Sequence, residues 1–354
     1  MRIAVIGAGA IGCLVAGYLK EKGEEVTLVG RAQAVNAIKE NGLGISGVRG
    51  DFKVQISISD SLNYIPDLAI LAIKTQDIEV FLQNSFSLLG KSLILTTQNG
   101  VRADNLVAKY LPGKNIISSI VMFGATYLEP GKVVHNFEGS WVIGTSTSLS
   151  TDGERSRTIG NQFQSNPTAE LIDLSLILGK IFPVIISEDI KGMKYLKIFA
   201  NASNCLPAII GKSMQEVFSD LNISRISIGI WKEAFEIIDK AGIQLVSLPG
   251  FPVENLTKLT SMPSASAAGI FSGIMKNLSK EPLYGSILQS IMRGRVSEID
   301  YINGEFVRLA EEHNMYAPLN KILVEMVHQV EKSKVFYSKN ILISKVKELI
   351  GENG

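Results

Sequence analysis

The chain has 354 residues, enough for two domains, and is 46% hydrophobic and 19% charged, so it can bury sizeable cores and is not disordered. Its 35 Lys and Arg against 34 Asp and Glu leave a formal net charge of +1, which gives no electrostatic ground for a nucleic-acid or membrane-surface partner. The two cysteines, Cys13 and Cys205, lie in apolar stretches without a CxxC pair, the usage of a reduced cytoplasmic protein with no structural metal.

The chain opens on RIAVIG, residues 2–7, a short apolar run that reads as a buried strand, followed by a helix over 11–22. A string of glycines and the charged Lys20, Glu21 and Lys22 argue against a signal peptide, and no apolar run reaches membrane-spanning length. Further strands are expected at 25–29, 68–73 and 92–96. Apolar runs without alternation are what parallel strands covered on both faces look like, and helices between them make a doubly wound α/β sheet of the Rossmann type. Over 115–144 the pattern becomes strand, turn, strand, with Glu129-Pro130-Gly131 as the turn, so antiparallel strands are expected to extend the same sheet. Residues 145–168 are rich in Ser, Thr, Asn and Gly and read as a long surface loop. A helix over 169–179 and a strand over 182–187 would complete the sheet beyond it. The first domain is therefore placed at 1–188 and the second at 189–354. In the second, helix-period apolar faces run over 191–202, 225–241, 265–278, 299–313 and 319–332, which predicts an all-helical domain.

Gly7-Ala8-Gly9-Ala10-Ile11-Gly12 is GxGxxG between the first strand and the first helix. Gly7 permits the tight turn, Gly9 lets backbone approach a pyrophosphate, and Gly12 lets helix and strand pack, while the helix N-terminus faces the phosphate charge. The bland alternative is a flavodoxin-like fold with glycines at a merely tight turn. After the second strand stands Val29-Gly30-Arg31, with no carboxylate to accept from a ribose 2′-OH. Arg31 can instead pair a 2′-phosphate through its planar fork, so NADP(H) is favoured over NAD, against the plain reading of a solvated arginine.

Lys197, Asn201 and Asn204 are spaced i, i+4 and i+7, which puts them on one face of a helix whose other residues are apolar. A lysine in such a helix is either functional or snorkelling to solvent. Further on, Ser286-Ile287-Leu288-Gln289 precedes Glu298-Ile299-Asp300-Tyr301-Ile302-Asn303-Gly304.

With the glycine turn, these two segments resemble the ketopantoate reductase (2-dehydropantoate 2-reductase) family, from Met1 to about Lys332. The resemblance implies a Rossmann domain and a helical domain like that of 6-phosphogluconate dehydrogenases, with nicotinamide and substrate between them, and a place in pantothenate and coenzyme A biosynthesis. It implies Lys197 as general acid and Glu298 as an acid that contacts cofactor and helps position the lysine. Asn201 and Ser286 would hold the substrate, Ser286 at its carboxylate; Asn99 is read as a further neutral donor to it, and Asn204 as the candidate partner of ketopantoate's terminal hydroxyl. Lys74 in AIKT and Asn99 in TQNG would line the cofactor beside residues 7–12, and Arg31 would meet the 2′-phosphate. One departure stands out: where ketopantoate reductases often carry a second Asn, eight positions after the lysine, this chain has Cys205, with Asn204 one residue earlier.

The leading expectation is NADPH-dependent reduction of a small 2-oxo acid, ketopantoate first and another branched 2-oxo acid as the alternative. A catalytically silent NADP sensor is the rival from another class, although it would be expected to lose Lys197 or Glu298. Opine or β-hydroxyacid dehydrogenase chemistry would place a histidine or another Lys–Asn pair at the centre, and His135, His313 and His328 have no such spacing. No clustered metal ligands appear. Oligomeric state stays open, a homodimer included.

Overall fold

Why the first strand runs straight into a glycine turn is visible in the topology of the sheet it centres. The computed structural model describes residues 1–145, 168–279 and 281–350. It divides into two units, Met1–Lys191 and Gly192–Gly354. The first comprises β1 (Arg2–Ile6), α1 (Ala10–Glu21), β2 (Glu25–Val29), α2 (Ala32–Asn41), β3 (Leu43–Gly47), β4 (Phe52–Val54), β5 (Ser57–Ser59), β6 (Leu68–Leu71), α3 (Ile78–Leu89), β7 (Leu93–Thr96), α4 (Ala103–Ala108), β8 (Ile116–Val121), β9 (Gly124–Glu129), β10 (Lys132–Phe137), β11 (Trp141–Thr145), α5 (Ala169–Leu178) and β12 (Val184–Ile186).

Eight strands form one sheet in the order β12-β11-β8-β7-β6-β1-β2-β5. From β5 to β8 every pairing is parallel, and β1 and β6 are buried almost throughout, as strands covered by helices on both faces must be. Strand order reverses between β1 and β6. In an open α/β sheet the crevice outside the carboxyl ends at that point is where ligands bind. β12 completes the sheet at its edge beside β11, as expected from residues 182–187.

Within 115–144, β11 extends the first sheet by pairing antiparallel with β8, as expected, but the hairpin β9–β10 departs from expectation. It does not extend the first sheet but forms a second one, β4-β3-β10-β9. The burial patterns give the reason. β8 is buried on nearly every residue, whereas β10 alternates, with Val133 and His135 inside and Lys132 and Val134 outside. An alternating strand has one dry face, and β10 turns it onto α1, where Tyr18 Oη and His135 Nδ1 hydrogen-bond at 2.8 Å. Arg49 closes this layer, its guanidinium 4.8 Å from the Tyr18 ring centre and 4.7 Å from that of Phe182, with both outer nitrogens of the fork occupied by Glu138 and Ile181 O. The polar stretch at 145–168 lies, apart from its two end residues, outside the described residues; Thr168 caps α5, its Oγ1 accepting from the Leu171 amide.

The second unit is helical: α6 (Ile190–Ala202), α7 (Cys205–Ile210), α8 (Met214–Phe218), α9 (Leu221–Lys240), α10 (Val253–Ser261), α11 (Ser264–Lys276), α12 (Ser286–Met292), α13 (Asn303–Glu312), α14 (Pro318–Ser333) and α15 (Lys339–Val346), with α6 crossing the division between the units. The helix expected over 299–313 is two pieces, a 3-10 turn at Ile299–Tyr301 and then α13, separated by Ile302 at φ −116°, ψ −90°.

Candidate active site

The predicted residues fall into two groups, one on each unit. On the first, Gly7 has φ +120°, and a Cβ there would lie 2.7 Å from the Ala72 carbonyl. A Cβ on Gly12 would come within 1.8 Å of Gly7 O, so only glycine lets α1 pack this close to the turn. A Cβ on Gly9 would meet nothing within 4 Å. Gly9 therefore borders open space at the start of α1, and no side chain caps that helix, so its first amides are not taken by a capping side chain. Ala8 packs against Gly30, while Ala10 and Ile11 begin the helix and lie partly buried. An uncapped helix start bordering open space at the end of β1 suits a pyrophosphate, so the residues present fit a dinucleotide.

Three further loops reach the same strand ends. Arg31, at the end of β2, is exposed, and its Nη2 donates to Asp77 Oδ2 at 3.1 Å. The pair runs from the β2 side of the glycine turn to the β6 side, and sequence reasoning missed Asp77 because its partner lies 46 positions away. Lys74 follows β6 and Asn99 follows β7; both are half-buried. Between them works Gln98, another residue the motif TQNG contained but only its tertiary contacts reveal. Its Nε2 donates to Leu71 O at 2.7 Å and Ile73 O at 2.9 Å, tying the two loops together.

On the second unit, Lys197 and Asn201 share α6. Lys197 sits among Leu196, Ile198 and Phe199, all essentially inaccessible. Part of its own side chain remains accessible, yet burial pushes its ammonium down from 10.5 to about 8, with no carboxylate contributing. Glu298, in the turn before α13, is 4% exposed.

Asn204 requires a correction. The helix does not run on to it, because α6 ends at Ala202 and Asn204 occupies the turn before α7. The physical cause is Pro207, which has no N–H to give the Ser203 carbonyl and whose ring would clash with it in a continuous helix. The broken end is satisfied from outside: Trp231 Nε1 donates to Phe199 O at 2.8 Å, and Asn303 Nδ2 to Ala202 O at 3.1 Å. Asn204 instead abuts Gly285, where a Cβ would lie 3.3 Å from Asn204 Cβ, next to Ser286 at the first position of α12. The strap leading there is fixed by Gln215, whose Oε1 accepts from the Leu283 amide at 3.0 Å. Cys205, which stands where an asparagine was noted as missing, is fully buried and its thiol is pushed up by burial, which the nearby Asn303 amide only partly offsets.

Asn303 joins three elements. Besides Ala202 O it donates to Asn320 Oδ1 at 3.0 Å, and Asn320 in turn donates through its amide side chain to Glu233 Oε1 at 2.8 Å. Glu233 also accepts the Leu319 and Asn320 backbone amides, so a carboxylate caps α14 at its positive end. His328 on α14 lies between the Asp300 and Glu331 carboxylates; burial pulls its pKa down, but the two carboxylates outweigh it and hold it above the usual histidine value. Among the described residues there is no group of three His, Cys, Asp or Glu placed to hold a metal, and no helix long and apolar enough to cross a membrane.

The family model described as ketopantoate reductase PanE/ApbA matches residues 3–148, and its C-terminal counterpart matches residues 189–331. A 2-dehydropantoate 2-reductase of Pyrococcus horikoshii is 29% identical over 334 residues, 94% of this chain and 98% of that one. Among solved structures, a PanE/ApbA family ketopantoate reductase from Ralstonia eutropha has a TM-score of 0.74 at 24% identity, covering 94% of this chain and 99% of its own. A D-mandelate dehydrogenase, solved with NADH and anilino(oxo)acetate, has a TM-score of 0.76 at 25% identity with the same coverage.

Proposed function

The chain belongs to the ketopantoate reductase family and is an NADP-dependent oxidoreductase, and we propose that it reduces ketopantoate to pantoate. The observation that carries this reading is Lys197: a lysine on a buried apolar helix, with a pKa near 8, stays protonated at neutral pH yet gives up its proton readily. Residues 7–12, Arg31, Lys74, Asn99 and Glu298 would hold NADPH, which would supply the hydride when bound. Lys197 would give its proton to the oxygen as the carbonyl is reduced, and Glu298 would help position the lysine. Asn99, Asn201 and Ser286 are neutral donors suited to a carboxylate next to a keto oxygen, and a simple aldehyde would leave some of them unpaired. The solved relative bound to an (oxo)acetate is a dehydrogenase of the same fold, which supports the substrate class.

The hydroxymethyl group of ketopantoate separates it from other branched 2-oxo acids, and Asn204 is its proposed partner. With the helix broken at 203–204, Asn204 is freed from the Lys197 face to stand beside Gly285 and Ser286. The test compares kcat/KM for ketopantoate with that for 2-oxoisovalerate, which lacks the hydroxyl. Loss of a hydrogen bond from a site built for it costs about 10²-fold or more. Equal values would assign the chain to the second reading, a reductase of another branched 2-oxo acid.

Arg31 leads to a separate expectation. A charge-assisted contact is worth roughly 1.5–3 kcal/mol, so Arg31→Ala should weaken NADPH and 2′,5′-ADP binding about tenfold or more while leaving NADH unchanged. Asp77 competes for the same guanidinium. Freeing Arg31 from an exposed pair of this kind is worth about 0.2–1 kcal/mol, so Asp77→Asn should tighten 2′,5′-ADP up to about fivefold in calorimetry. Equal affinity of the wild-type chain for NADH and NADPH would remove the role given to Arg31.

A further inference from the structure

Glu298 stands on a short segment, Ser297 to Tyr301, that has no long helix of its own to hold it. α14 grips the segment on both sides of Glu298. On one side of Glu298 the Ser297 amide donates to Glu331 Oε1 at 2.7 Å, a bond buried from water. The other Glu331 oxygen, Oε2, meets His328 Nδ1 at 3.1 Å. The ring carries the connection across, for His328 Nε2 meets Asp300 Oδ1 at 2.9 Å, two residues to the other side of Glu298. Glu331 and His328 are spaced i, i+3, so one helical turn of α14 holds the chain before and after the glutamate. Inside the loop, the Tyr301 amide closes on Glu298 O at 3.0 Å and the Ile299 amide on Ser297 Oγ at 3.3 Å. The backbone at Glu298 is thereby pinned from both directions.

We infer that Glu331 and His328 are positioning residues, which act through the backbone on either side of Glu298 to set where its carboxylate stands. The inference rests on the reading of Glu298 as part of the reductase site. Glu331 touches neither substrate nor cofactor in this role; it supplies the acceptor that a buried Ser297 amide must have, and His328 keeps that carboxylate in place while tying it to Asp300. A brace of this kind differs from a purely stabilising contact in what its loss does. A displacement of about 1 Å in a catalytic group can cost on the order of 10²-fold in rate without unfolding anything.

The experiment uses the full chain with NADPH and ketopantoate. Glu331→Ala should lower kcat by about 10–100-fold and speed hydrogen exchange of the Ser297 amide, at temperatures where the variant remains folded by circular dichroism. Glu331→Gln keeps an oxygen for that amide and should restore most of kcat and the protection. His328→Ala, which removes a side chain that is 41% exposed, should give an intermediate fall in kcat. Glu298→Gln is measured alongside. If it loses turnover while Glu331→Ala and His328→Ala both turn over as the wild type, the brace is structural only and the inference is overturned, with the site reading intact. If Glu298→Gln itself turns over normally, Glu298 is not in the site, and both the reading and the inference fall together.

Discussion

Lys197→Ala should lower turnover by about 10²–10⁴-fold, the range for a positioned general acid, while NADPH binding by fluorescence titration survives. The pH profile carries the sharper signature. Burial holds the Lys197 pKa at about 8, and the acid form is the ammonium, so kcat for reduction should be flat below that value and fall as pH rises through it. Oxidation of the product needs the neutral amine and should rise over the same interval. The same burial has a thermodynamic consequence. A folded-state pKa depressed below the unfolded value of 10.5 means the unfolded chain binds the proton more tightly. The resulting loss of stability is absent above 10.5, grows as pH falls toward 8 and is constant below. At about 1.4 kcal/mol per pH unit, Lys197→Met should raise the stability at pH 7 by up to about 3 kcal/mol and show little charge-related gain at pH 11. A variant that is inactive and more stable is the pattern of a residue kept for chemistry. Normal turnover in Lys197→Ala would move the role elsewhere, first to Lys194, which is buried on the same helix.

The glycine turn gives the second large effect, and here two neighbouring substitutions should part company. Gly12→Ala puts a methyl 1.8 Å from Gly7 O, a backbone atom that can yield only by moving the turn, so the first unit should lose several kcal/mol, beyond the roughly 1–3 kcal/mol of ordinary overpacking. Gly9→Ala meets nothing within 4 Å and has an extended backbone that alanine accepts. Its unfolding free energy should stay within about 1 kcal/mol of the wild type, the cost of alanine at a helix N-cap. Yet it should bind NADPH far more weakly, because the added methyl occupies the space a pyrophosphate approaches through. Wild-type affinity in Gly9→Ala would mean the phosphates do not lie against this turn.

How far residues alone reached can be judged at particular places. GxGxxG after RIAVI and the missing acid after β2 were legible, since both are local: a turn, a helix start and a strand end a few residues apart. Lys197 and the Glu298 segment were legible as types in a pattern, and the family resemblance attached roles to them. The strand pair β9–β10 was legible as a hairpin but not as part of a second sheet, although the alternation in KVVHNF carried that information. Pro207 was likewise a signal within reach, and it breaks the helix between Asn201 and Asn204.

By itself, then, the sequence determined parts whose physics is short-range: the central strands, the glycine turn between β1 and α1, and the helical character of the second unit. The tertiary structure decided which distant groups meet. Asp77 reaches Arg31 across 46 positions, Gln98 ties the loop after β7 to the loop after β6, and Glu331 takes the Ser297 amide from 34 positions away. The reason is that periodicity and turn chemistry act over a few residues, whereas an amide taken out of water must find an acceptor wherever packing has brought one, and packing belongs to the whole fold.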